Sequence, residues 1–131
     1  MMSPIQHLQS PDAPKPIGPY FPAVRAGDFL FVSGQIGLDP KTGALVKGDI
    51  AAEVKMALSN LLAILKTAGA HPGQIVKSTL FLTDMADFHV VNPLYAAIFE
   101  GNNQYPARET VAVKALPAGA SFEISCTVFL G

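Results

Sequence analysis

Apolar residues recur along this chain at two different periods. Between residues 50 and 68 the spacing is helical. Val54, Leu58, Leu61, Leu62 and Leu65 make one stripe. Asp49 stands where an N-cap belongs and Gly69 where a helix turns left-handed, which predicts a long helix from Asp49 to about Ala68. In the last run, Phe122 to Leu130, the period is two. Phe122, Ile124, Cys126, Val128 and Leu130 share one face, and Glu123, Ser125 and Thr127 the other. Phe29–Ile36, Gln74–Thr83 and Arg108–Ala115 also read as strands. Tyr20–Arg25 reads as a first strand, with Pro22 marking an edge or a bulge. Asn92-Pro93 reads as an N-cap followed by proline at the first helical position. It opens a second helix through Leu94, Tyr95, Ile98 and Phe99, which Gly101-Asn102-Asn103 ends. Residues 1–17 carry Pro4, Pro11, Pro14 and Pro16 and read as an irregular arm; residues 18–131 read as one domain. The order ββαβαββ predicts an α+β fold, a sheet covered on one face by two helices.

Composition changes this picture in one respect. Of 131 residues, 50% are hydrophobic and 15% charged, against about 25% charged in ordinary soluble domains. So small a chain cannot hide that much apolar surface internally, so part of it is expected between subunits. The net charge of −1 and nine scattered basic residues weigh against a nucleic-acid partner. The single cysteine, Cys126, excludes an intrachain disulfide and fits a reducing compartment. No apolar run approaches the ~18 residues of a membrane span, and the N-terminus lacks a signal-peptide layout. A cytoplasmic location is expected.

The chain has two arginines, and Arg108 follows a Tyr105-Pro106-Ala107 bend. Its planar fork can hold a carboxylate through two parallel hydrogen bonds; a surface salt bridge is the plainer reading. Glu123 is the only carboxylate of the last strand. It can orient and deprotonate a water, or simply face solvent or Lys114. Ser33-Gly34 ends an apolar strand, where glycine allows close approach of a ligand or marks a β-bulge. No base is placed to activate Ser33 as a nucleophile. Tyr20 fits a pocket rim or a half-buried structural role, and Asn92 fits a helix cap better than a ligand group. His7, His71 and His89 lack metal-ligand spacing and Cys126 lies on the apolar face, so no metal is expected. Glycine-rich phosphate loops are absent.

Gly18-Pro19-Tyr20, Ser33-Gly34-Gln35-Ile36, Asp39-Pro40-Lys41-Thr42-Gly43, Ala68-Gly69, Asp84-Met85-Ala86-Asp87-Phe88, Val91-Asn92, Tyr95, Pro106-Ala107-Arg108 and Phe122-Glu123-Ile124 follow one another in the order seen in the Rid family. The chain therefore resembles the reactive intermediate deaminases of RidA type, from Gly18 to Val128. The resemblance implies a chorismate-mutase-like fold and a homotrimer with ligand clefts between subunits. It implies hydrolysis of 2-imino or 2-enamino acids, released by pyridoxal-phosphate dehydratases, to 2-keto acids and ammonia without a cofactor. By the same resemblance Arg108 holds the substrate carboxylate and Glu123 orients or deprotonates the water. Tyr20, Ser33 and Asn92 line the pocket, and the Gly34 backbone approaches the ligand. Thr110 stands where some members have cysteine, keeping a hydroxyl there but no thiol. Phe21-Pro22-Ala23 departs from the usual pattern and bears on the width of the cleft. Two other function classes stay open: an endoribonuclease or translation inhibitor, and a non-catalytic carboxylate-binding or chaperone-like trimer. The deaminase reading requires Arg108 and Glu123 to meet in one cavity at a subunit boundary, whereas the non-catalytic reading predicts carboxylate binding at Arg108 without turnover.

Overall fold

The computed structural model describes residues 4–100 and 104–131. Its strands are β1 (Ile5–Leu8), β2 (Ala23–Ala26), β3 (Phe29–Gln35), β4 (Ile75–Leu82), β5 (Ala107–Ala112) and β6 (Phe122–Phe129). Its helices are α1 (Ile50–Thr67) and α2 (Phe88–Ala97). They form one sheet in the order β1-β2-β3-β6-β4-β5. Only β4 and β5 run parallel, because α2 carries the chain back across the sheet between them.

Helix α1 forms as its pattern predicts. Asp49 is extended and its carboxylate accepts from the Ala52 N–H at 2.8 Å, which satisfies one of the orphan donors of the first turn. Gly69, at φ +73°, reverses the chain beyond the other end. Val54, Leu58, Leu61 and Leu65 are buried together against the sheet. Facing them, strict alternation in β6 buries Phe122, Ile124, Cys126 and Val128. Burial pushes the Cys126 thiol up to about 12, as expected of an inert core thiol. Helix α2 lies on the same side, since Tyr95 donates to Ser78, which pairs with Cys126 across the sheet.

The opposite sheet face is uncovered within the chain. Phe29, Phe31 and Phe129 stand on it at 41, 49 and 44% exposure, an apolar patch of the kind that subunits cover.

Two expectations are corrected. The proline-rich arm is not irregular throughout: β1 pairs antiparallel with β2, Ile5 opposite Ala26 and Leu8 opposite Ala23. Pro4 and Pro11 flank this strand without interrupting it, and Leu8 packs on the core, so a strand precedes the expected ββαβαββ. Asn92 does not cap α2. That helix starts at Phe88, four residues earlier, because a 3₁₀ turn capped by Asp84 (carboxylate to Ala86 N–H, 2.9 Å) runs straight into it. Pro93 sits inside the helix, where it lacks the N–H that would bond to the His89 carbonyl. Gly101-Asn102-Asn103, the expected end of α2, lies outside the described residues.

Candidate active site

Arg108 lies on the edge strand β5 opposite Ser78 in the register with β4. Since Ser78 is wholly buried on the helix-covered face, Arg108 points to that face too. Phe88, Asn92 and Tyr95 lie at i, i+4 and i+7 on α2, hence on one side of the helix. The Arg108 guanidinium carbon is 5.5 Å from the centre of the Phe88 ring and 5.0 Å from that of Tyr95. Asn92, Tyr95, Ala96, Tyr105, Pro106 and Arg108 line a cavity of about 390 Å³, large enough for a small organic ligand. Among the described residues the only ion pair is Lys77–Glu109 at 3.2 Å, on the other face of the sheet. No carboxylate of the described residues forms an ion pair with the Arg108 fork.

Glu123 is elsewhere. It pairs with Phe81, three residues from Ser78 on β4, so it projects from the opposite sheet face. Partial burial raises its pKa above the ordinary carboxylate value. The β-bulge reading of Ser33-Gly34 holds, and the group that approaches the glycine within this chain is the Glu123 side chain. The β3–β6 register slips between Val32 and Gln35, and Gly34 lies so close that a Cβ there would stand 2.6 Å from Glu123 Oε2. Tyr20, Gly34, Gln35, Pro117 and Glu123, with the Pro14–Ile17 segment, line a cavity of about 30 Å³. That volume admits a water and little more.

The expected site residues thus form two groups within one chain: Arg108 with Asn92, and Glu123 with Gly34 and Tyr20. A single chain does not bring the arginine and the glutamate together. Ser33 supports the second group and lines neither cavity: its hydroxyl donates to the Phe21 carbonyl at 2.7 Å and its N–H to that of Pro22 at 2.9 Å. These bonds hold the segment that carries Tyr20. Phe21 itself packs on His7, ring centres 5.0 Å apart. Thr110 is two residues beyond Arg108 on the same strand face, and its buried hydroxyl has no hydrogen-bond partner among the described residues. Among the described residues no group of three or more His, Cys, Asp or Glu side chains could hold a metal.

Two supporting residues were not expected from the sequence. The buried Glu53 carboxylate accepts from the Ser121 and Phe122 N–H groups at 2.6 and 3.1 Å. Asn60 donates to the Ile36 and Leu38 carbonyls at 3.1 and 2.8 Å. Both stand on α1, seven residues apart beside its apolar stripe, and together they fix the chain just before Glu123 and just after Gly34. Seven residues is nearly two whole turns, so two polar residues at that spacing on a buried helix are a signal the sequence does carry.

A family model described as Endoribonuclease L-PSP matches residues 10–130. A mouse 2-iminobutanoate/2-iminopropanoate deaminase is 44% identical over 124 residues, 95% of this chain and 90% of that protein. The crystal structure of a Rid-family protein of unknown function from Yersinia pestis superposes with a TM-score of 0.92 at 40% identity, covering 95% of this chain and 98% of that one. The structure of E. coli TdcF with bound serine gives 0.89 at 36% identity, covering 95% and 98%.

Proposed function

We propose, on the premise that the chain belongs to the Rid family, that it hydrolyses reactive 2-imino acids to 2-keto acids and ammonia. The observation that carries this reading is the Arg108 guanidinium, free of any carboxylate partner among the described residues, in a cavity of organic-acid size. The mouse relative is named for this activity, and the serine bound to TdcF is itself a small carboxylate.

The two groups of residues become one site when chains associate. Arg108 and Asn92 of one subunit face Glu123, Gly34 and Tyr20 of its neighbour, in a homotrimer that covers the phenylalanine-bearing sheet face. The Arg108 fork binds the substrate carboxylate bidentately and sets C2 in place. Glu123 takes a proton from a water as the water oxygen bonds to C2, and returns it to the imine nitrogen, giving a carbinolamine. It then takes the hydroxyl proton and delivers one to the amine. The C–N bond breaks, ammonia leaves and the keto acid remains. A carboxyl whose pKa burial raises suits this shuttle, because it is a stronger base toward the water proton than an ordinary carboxylate. The hydroxyl of Tyr20, a residue that lines the same small cavity as Glu123, assists the second delivery. Dehydratases that use pyridoxal phosphate are the class of enzyme that releases such substrates.

The test is the rate at which the imine decays when a threonine dehydratase generates it, with and without this protein. Faster decay with stoichiometric keto acid supports the reading; decay at the uncatalysed rate refutes it. The pH profile carries a sign. Glu123 works as the carboxylate and its pKa is raised, so activity falls as pH drops through a value above the usual carboxylate range of about 4.3. An acid limb at or below that range contradicts Glu123 as the base.

Gly34→Ala tests the same group locally. The new Cβ would meet the Glu123 carboxylate and force it aside, which is expected to cut kcat about tenfold or more while leaving the fold intact. Unchanged kcat would show that the carboxylate does not work from this position.

The family model's description suggests RNA cleavage as another activity. Ribonuclease activity that survives purification and falls in Arg108→Ala would favour it over imine hydrolysis.

A further inference from the structure

Arginine forks are usually steadied by carboxylates, which then occupy their N–H donors. Here the support is of another kind. Phe88 and Tyr95 approach the guanidinium carbon at 5.5 and 5.0 Å, within the ~6 Å range of cation–π attraction. A ring attracts the cation through its π face and leaves the in-plane N–H edge of the fork open.

The rings are themselves held. Tyr95 is 4% exposed and donates its hydroxyl to Ser78 Oγ at 3.0 Å. Ser78 is the residue directly opposite Arg108 in the β4–β5 register, so one strand pair carries both the guanidinium and the anchor of the ring against it. Tyr95 also packs on Phe99 at 5.0 Å, and Phe99 meets Tyr105 edge-on at 5.8 Å. Tyr105 belongs to the bend before Arg108 and lines the same cavity. Phe88 and Tyr95 are seven residues apart on α2, which sets both rings over the same strand residue.

We propose that Phe88 and Tyr95 are positioning residues for Arg108, an aromatic clamp that fixes the guanidinium and leaves its hydrogen-bonding edge free for the carboxylate of a ligand. The proposal rests on the reading of Arg108 as the carboxylate anchor. It gives Phe88 a role that goes beyond packing, and it makes ring electron density, not ring shape, the property that matters.

Phe88 is the residue to test, because at 38% exposure it is replaceable without opening the core. Phenylalanines of increasing ring fluorination keep the shape and drain the π face. Across such a series at position 88, the Kd for pyruvate, the simplest 2-keto acid, should rise steadily, by about fivefold or more in total. Phe88→Tyr should retain wild-type affinity, and Phe88→Leu should lose as much as the most fluorinated ring. A flat series, or one in which binding tightens, overturns the clamp. The clamp also has a readout independent of ligand. The Arg108 Nε proton, shielded by two rings, should move downfield in Phe88→Leu; an unmoved proton would also overturn it. A wild type that shows this shielding and does not bind pyruvate would overturn the carboxylate-anchor reading, and the positioning role with it. Pyruvate binding that is present in the wild type and equal throughout the fluorinated series would overturn the clamp alone.

Discussion

Arg108→Ala is expected to abolish nearly all imine hydrolysis, lowering kcat/KM by about a hundredfold or more. The magnitude follows from the bonds lost. Two charge-assisted hydrogen bonds, each worth about 1.5–3 kcal/mol, anchor the carboxylate, and about 1.4 kcal/mol is a factor of ten. The loss should be divided between KM, because the carboxylate is no longer bound, and kcat, because C2 is no longer held in front of the water. Arg108→Lys separates charge from geometry. An ammonium keeps the attraction and loses the planar fork, so its activity should fall between those of wild type and alanine. The substitution should hardly disturb the fold. Arg108 lies on an edge strand and pairs with no carboxylate among the described residues, so alanine gives up mainly the ring contacts, about 1–2 kcal/mol. Thermal unfolding measured beside the kinetics separates a misfolded variant from an inactive one. A folded Arg108→Ala protein that clears the imine at the wild-type rate would remove Arg108 from the site.

How much of this was legible in the chain depended on the range of the forces involved. Helix α1 and strand β6 were legible because each carries a strong one-face pattern, Val54 to Leu65 at helical spacing and Phe122 to Val128 at alternate positions. Asp49 and Gly69 cap α1 through their own backbone and side-chain chemistry, which is local. Strand β1 was hidden by the prolines around it, since its pairing with β2 depends on residues about twenty positions away. Asn92-Pro93 misled for the opposite reason. The dipeptide is a good local start signal, but the turn capped by Asp84 and the burial of Val91 on the core start the helix earlier. For the candidate site, residue identities were legible and their side of the sheet only partly. The face of Glu123 follows from the alternation within β6. The face of Arg108 depends on which β4 residue it stands beside, and register between distant strands is not written in either strand alone.

The separation of Arg108 and Glu123 has a consequence that a site within one chain could not imitate. Arg108→Ala and Glu123→Gln should each be inactive as pure proteins, yet unfolding and refolding them together should restore activity. Suppose each cleft takes its arginine from one subunit and its glutamate from the next. In an equal mixture, half the arginine positions and half the glutamate positions are intact, so about one quarter of the clefts contain both. The refolded mixture is expected to recover about a quarter of the wild-type rate, and the recovery should track the mixing ratio as the product of the two intact fractions. Mixing without unfolding should recover activity only as fast as subunits exchange. Glu123→Gln is a sound member of the pair because its fold should gain and not lose. Burial raises the Glu123 pKa in the native state, so the native protein holds that proton more tightly than the unfolded chain. The charged carboxylate therefore lowers stability as pH rises above the unfolded-state pKa, and the full penalty is present above the folded one. A neutral amide escapes it, so Glu123→Gln should melt at or above the wild-type temperature at pH 7 and match it more closely in acid. Refolded mixtures that contain hybrid oligomers yet stay inactive at every ratio would mean that no cleft joins the two groups across subunits. The opposite sheet faces of Arg108 and Glu123 would then leave no arrangement in which one substrate meets both.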